Sequence, residues 1–170
     1  MDSNISFPDF VRTWNDAQGL ATPALHARIA GWLDARRRGG DRRLLLLAFR
    51  NSGKSTLLGL FAVWLLHIDP DLRILTLSAD LALARKLARN ARRILERHPL
   101  TADLRPARAD QWAADQFTVN RRRELRDPSM LARGITGNVT GSHADVVICD
   151  DVEVPRSSDS AAKREALRER

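Results

Sequence analysis

The sequence predicts an α/β fold with a mainly parallel sheet and helices on both faces. Two short, continuous apolar runs, residues 44–48 (LLLLA) and 145–149 (DVVIC), have the character of strands buried on both sides. Helical segments of 14 to 20 residues alternate with these and other strand candidates, an order that builds right-handed crossovers between parallel neighbours. No internal repeat or low-complexity segment interrupts it, and 170 residues suffice for one buried core.

Two short helices open the chain. Pro8 and Pro23 stand where a first-turn proline is tolerated, with Thr22 as the expected N-cap of the second helix. Ala24, Leu25, Ile29, Trp32 and Leu33 recur at helical spacing until the basic run 36–38, and Gly39 and Gly40 end that helix. Residues 1–40 therefore read as a helical lead-in, and 41–170 as the α/β unit. Residues 44–48 form its first predicted strand. A helix follows over 54–67, carrying Leu57, Leu58, Leu60, Phe61, Trp64 and Leu65, and Pro70 closes it. Residues 73–78 (RILTLS) read as a strand, and 79–98 as a long Arg-rich helix stopped by Pro99. Short strands are expected over 116–119 and 130–135, around a polar turn containing Asp127-Pro128. Residues 145–149 form the last strand, and 161–170 read as helical.

Composition narrows the function classes. Hydrophobic residues make up 44% and charged residues 29%, as in soluble globular proteins rather than disordered ones. Twenty-eight Lys and Arg against 21 Asp and Glu leave a charge of +7, which favours a polyanionic partner through counterion release. An Arg-rich compositional bias would produce the same balance. Cys149 is the only cysteine, excluding an internal disulfide. The first residues have neither the basic nor the apolar region of a signal peptide, and no apolar run approaches the ~20 residues of a membrane helix. A soluble protein of cytoplasmic type is expected.

The segment Ala48-Phe49-Arg50-Asn51-Ser52-Gly53-Lys54-Ser55 lies between a predicted strand and an amphipathic helix, where a phosphate-binding loop must lie. Gly53 lets backbone N–H groups turn towards a phosphate, and the helix adds its positive end. Lys54 would reach the β- and γ-phosphates of ATP, and the Ser55 hydroxyl would ligate Mg²⁺. The expected nucleotide-binding residues are thus Arg50, Asn51, Ser52, Gly53, Lys54, Ser55 and Thr56. Ala48 stands where such loops usually begin with glycine.

Downstream, the apolar run ends in adjacent carboxylates, Asp150 and Asp151. Side chains alternate along a strand, so the two should point apart. One would serve the Mg²⁺ shell and the other face an attacking water. Glu153 competes with Asp151 for the second role. Arg50 could stabilise charge on a transferred phosphoryl group, or be a solvated loop residue.

Elsewhere the signals are weaker. The glycine-rich stretch 134–143 suits a loop approaching a ligand or DNA, and equally a plain hairpin turn. His143 reads as a polar loop residue. Arg85, Lys86, Arg89, Arg92, Arg93 and Arg97 suit a DNA track or a solvated helix face. Trp32, Trp64 and Trp112 read as packing residues. No metal-spaced His/Cys cluster or Ser-His-Asp arrangement stands out.

AFRNSGKSTLLGL, then RILTLSAD, then FTVNRRRELRDPSMLARGITGNVTGSHADVVICDDVEVP, resembles the ATPase half of phage terminase large subunits, from about Pro23 to the end. The resemblance implies a P-loop NTPase fold of RecA/ASCE type and an ATPase that drives double-stranded DNA into a capsid in the host cytoplasm. It also implies a ring of copies, a small terminase subunit and a portal protein as partners. Lys54 and Ser55 match the family's loop lysine and hydroxyl, Arg50 its loop arginine, and Asp150 its Mg²⁺-linked carboxylate. The next position, commonly Glu in the family, is Asp151 here. The family's coupling-motif strand and nuclease domain have no counterpart in these residues, so the resemblance implies an N-terminal piece. A helicase-like ATPase and a non-catalytic terminase remnant are the alternatives.

Overall fold

The computed structural model describes residues 5–106, 112–137, 141–152 and Glu165. Helix α1 (Phe7–Asp16) starts at Ser6, whose hydroxyl accepts from the Asp9 backbone N–H at 3.2 Å. Helix α2 (Ala24–Arg38) begins directly after Pro23 and has no side-chain cap. Thr22 does not cap it as expected: its hydroxyl instead accepts from the Asn15 side chain at 2.9 Å. That bond braces the turn between the two helices.

Helix α3 (Lys54–Ile68) is buried around most of its circumference, including Leu57, Leu60, Val63, Trp64 and Leu66. A helix so uniformly apolar belongs at the centre of its domain. Helix α4 (Leu81–Arg97), capped by the Asp80 carboxylate, is one-sided by contrast. Ala84, Leu87, Ala91 and Ile94 are buried, while Lys86, Arg89 and Arg93 face solvent. The two helices close together at Gly59, where an added Cβ would lie 2.6 Å from Asn90 Nδ2.

The remaining strands are β1 (Ile74–Ser78), β2 (Gln116–Phe117), β3 (Met130–Gly134) and β4 (Val146–Cys149). They form one four-stranded sheet in the order β2-β3-β1-β4. β1 runs parallel to both neighbours, and β2 is antiparallel to β3. The expected mainly parallel α/β sheet is therefore present. Arg73 and Asp145 tie the starts of β1 and β4 through bonds of 2.8 and 2.9 Å. The bonds from Arg73 hold the Asp145 carboxyl below its ordinary pKa, against a smaller opposing effect of burial.

One expectation needs correction. Residues 44–48 are not a strand of this sheet: Leu45 is 77% and Leu47 84% exposed, and Phe49 beyond them is 70% exposed. An extended segment becomes a strand only when a neighbour takes its N–H and C=O groups. No described strand pairs with it, and β4 ends the sheet with Val147 53% exposed. Helices on both faces were also expected. Among the described residues α4 packs along β1 and β3. On β1, Ile74, Thr76 and Ser78 are buried, while Leu75 and Leu77 on the opposite face are half-buried.

The lead-in docks through aromatic rings. Phe7 meets Phe61 and Trp64 of α3 at centroid distances of 5.1 Å, and Trp64 Nε1 donates to the Ile5 carbonyl at 3.0 Å. Phe10 stacks on the fully buried His98 at 3.7 Å. His98 Nε2 lies 3.0 Å from the Phe10 carbonyl, and Nδ1 accepts from the Leu100 N–H at 3.1 Å. A carbonyl only accepts and an N–H only donates, so these partners suit the neutral ring with its proton on Nε2.

Burial pushes the His98 pKa down to about 4, partly opposed by the bond to Phe10, with nearby His67 lowering it further. The unfolded chain therefore binds this proton more readily, at a pKa near 6.5. The stability from neutral His98 is complete above that pH and is lost as pH falls through the folded value, on the order of 3 kcal/mol in all. Urea titrations from pH 4 to 7 should show this slope, and His98→Gln should flatten it above pH 5.

Candidate functional site

The carboxyl ends of β1, β3 and β4 lie along one edge of the sheet, and the first turn of α3 meets that edge. The loop entering α3 contains two left-handed residues, Asn51 (φ 62°) and Gly53 (φ 77°). No side chain caps the helix start, so its positive end stays available.

Hydrogen bonds to β1 hold the acidic pair. Asp150 N donates to the Leu77 carbonyl at 2.9 Å, and Ala79 N donates to the Asp151 carbonyl at 3.1 Å. Across the sequence, Ser55 Oγ donates to Asp150 Oδ2 at 3.2 Å. Lys54 Nζ lies 3.3 Å from Asp150 Oδ1 and donates to Asp151 Oδ1 at 3.0 Å. Both carboxylates thus converge on one ammonium group, contrary to the expectation that they point apart. The alternation ends with the strand at Cys149, and Asp151 takes a left-handed φ of 48°.

Burial opposes the charge on Lys54, but hydrogen bonding and Coulomb attraction from Asp151 and Asp150 outweigh it and hold the pKa above its ordinary value. Asp150 is only 9% exposed, and its buried Oδ1, without a well-directed hydrogen bond, is ion-paired with Lys54 at 3.3 Å. The ion pair offsets part of that oxygen's desolvation cost, and a bound divalent cation would do so in the lysine's place. Ser52 Oγ is also buried without a hydrogen bond. A buried carboxylate, beside a hydroxyl and an ammonium group, fits a divalent cation with a phosphate ligand.

The cleft beside these groups has a volume of about 290 Å³. Ser55, Thr56, Asp150 and Asp151 line it, and α4 contributes Lys86 and Asn90. Asn90 Nδ2 also donates to the Ser55 carbonyl at 3.1 Å, fixing the start of α3 from the side.

The structure thus gathers Lys54, Ser55, Thr56, Asp150 and Asp151, and keeps Ser52 and Gly53 in the adjoining loop. Arg50 and Asn51 are exposed and do not line the cleft. Glu153 lies outside the described residues. His143 is a polar loop residue, its Nδ1 lying 3.1 Å from Asp127 Oδ2. Sequence reasoning missed Asn90, although an amide between the buried Leu87 and Ala91 was a visible signal. Lys86 was hidden within its basic run. His26 of α2, with Nε2 2.9 Å from the Ser52 carbonyl, carried no signal at all.

No described group of three or more His, Cys, Asp and Glu residues could hold a metal by itself. No described helix is long and apolar enough to cross a membrane. No family model matches the chain. A terminase large subunit of Enterobacteria phage T3 is 36% identical over 129 residues, covering 76% of this chain and 22% of the relative.

Proposed function

We propose that this chain, a terminase large-subunit sequence spanning 22% of its relative's length, is the nucleotide-binding part of a DNA-packaging motor. It has a P-loop NTPase fold, binds Mg·ATP and hydrolyses it, and the complete motor couples that hydrolysis to movement of double-stranded DNA into a capsid. Its partners are DNA, a portal protein, a small terminase subunit and further copies in a ring. It works in the cytoplasm of the bacterial host.

One observation carries the reading: Lys54 and Ser55, at the start of α3, meet Asp150 and Asp151, nearly a hundred residues later, at hydrogen-bond distance. Lys54 binds the terminal phosphates, for which it must exchange its carboxylate partners. Ser55 Oγ and Asp150 hold Mg²⁺, which when bound neutralises charge on the phosphate oxygens. Asp151, the more exposed carboxylate, orients and accepts a proton from the attacking water, with Glu153 the competing candidate. Arg50, free of the cleft, is available to approach the transferred group from outside.

Titration calorimetry of Mg·ATP into the purified chain tests this directly. Saturable binding is expected, and Asp150→Asn should weaken it about 10- to 100-fold while leaving binding of Mg-free ATP nearly unchanged. Absence of binding by a folded chain would refute the reading. The unpaired apolar segment at 44–48 favours a second reading, that of a non-catalytic piece. Under it, binding persists, but phosphate release stays at background with DNA added.

A further inference from the structure

The proposed phosphate loop is held from outside by the helical lead-in. His26 lies in the first turn of α2, half-buried, with Nε2 2.9 Å from the Ser52 carbonyl oxygen. A carbonyl can only accept, so Nε2 carries the proton of this bond. The ring also lies against the next residue: a Cβ added at Gly53 would collide with Nε2 and lie 2.7 Å from Cε1. Gly53 is thus required both by its positive φ and by His26.

The bonded carbonyl belongs to the same peptide as the Gly53 N–H. That peptide is trans, and across a planar trans peptide the C=O and N–H point in opposite directions. Holding the Ser52 oxygen towards α2 therefore aims the Gly53 N–H away from α2. Backbone bonds hold the two residues of this peptide, Ser52 N to the Phe49 carbonyl and Leu57 N to the Gly53 carbonyl, and His26 holds the peptide between them.

We propose that His26 is a positioning residue, holding the Ser52–Gly53 peptide so that the Gly53 N–H faces a bound phosphate. The proposal rests on the nucleotide-binding reading for its phosphate, but the restraint on the loop exists without ligand. The lead-in is then part of the site, and motion of α2 alters loop geometry directly.

The test uses the full chain with His26→Ala, His26→Phe and His26→Gln. Phenylalanine fills the ring's space without a donor, whereas glutamine restores a donor. Amide hydrogen exchange is measured without nucleotide, with α4 core amides as the internal reference, followed by Mg·ATP titration. For Ala and Phe, the Ser52 and Leu57 amides, bonded to the Phe49 and Gly53 carbonyls, should exchange about tenfold faster at unchanged α4 rates, and Mg·ATP binding should weaken about tenfold, as expected for one neutral hydrogen bond. Gln should recover most of both. Wild-type loop exchange in the Phe variant would overturn the proposal, assigning His26 to packing alone, as would equal losses in Gln and Ala. If the wild-type chain binds no nucleotide, the functional reading falls, and loop exchange alone decides the role of His26.

Discussion

Lys54→Ala should reduce Mg·ATP affinity by about 100- to 1,000-fold, more than any other single change in the cleft. Among the described residues, its ammonium group is the one cation paired with both carboxylates of the site, at 3.0 and 3.3 Å. Under the proposed function, that charge passes to the nucleotide phosphates. Without it, incoming phosphates meet Asp150 and Asp151 with no compensating charge. The fold itself should lose little, on the order of 1 kcal/mol, because Lys54 is partly solvent-screened and Ser55 and the β1 backbone still hold the acidic pair. The two effects separate cleanly: calorimetry reads the affinity, and a thermal melt of the unliganded variant reads stability. A variant that melts normally but retains wild-type affinity would remove Lys54 from the phosphate site.

Trp64→Ala should cost about 3–5 kcal/mol, a large share of the 5–15 kcal/mol typical of a domain. Trp64 is 1% exposed in the middle of α3, against Phe7 on one side and Phe61 on another. Arg37 of α2 sits 5.2 Å above its ring, and its Nε1 holds the Ile5 carbonyl ahead of α1. One truncation therefore opens a cavity and loosens the lead-in, and through His26 it should also disturb the phosphate loop. Denaturant unfolding followed by circular dichroism measures the loss. Trp32→Ala, at a half-buried position on α2, is the comparison and should cost less than half as much. Equal costs at the two positions would contradict a core centred on α3.

The local elements were legible because short-range patterns encode them. Helical spacing marked 54–67 and 79–98 to within a few residues of α3 and α4, and apolar runs marked β1, β3 and β4. The same periodicity misread residues 44–48, since apolar composition records a preference for burial but not whether a neighbouring strand is present to satisfy the backbone. Chemistry at adjacent positions was legible too: Gly53-Lys54-Ser55 and Asp150-Asp151 stood out as residue types whose spacing suits phosphate and cation.

Contacts between distant segments were not. No local pattern relates His26 to Ser52, Asn90 to Ser55, or Phe10 to His98. Nor did strand alternation reveal that Asp151 leaves the extended conformation so that both carboxylates meet Lys54. Residue type and near-neighbour spacing set which groups can do the chemistry and which elements carry them. Chain packing sets which distant groups share one place, because a hydrogen bond reaches only about 3 Å and sequence spacing does not measure that distance.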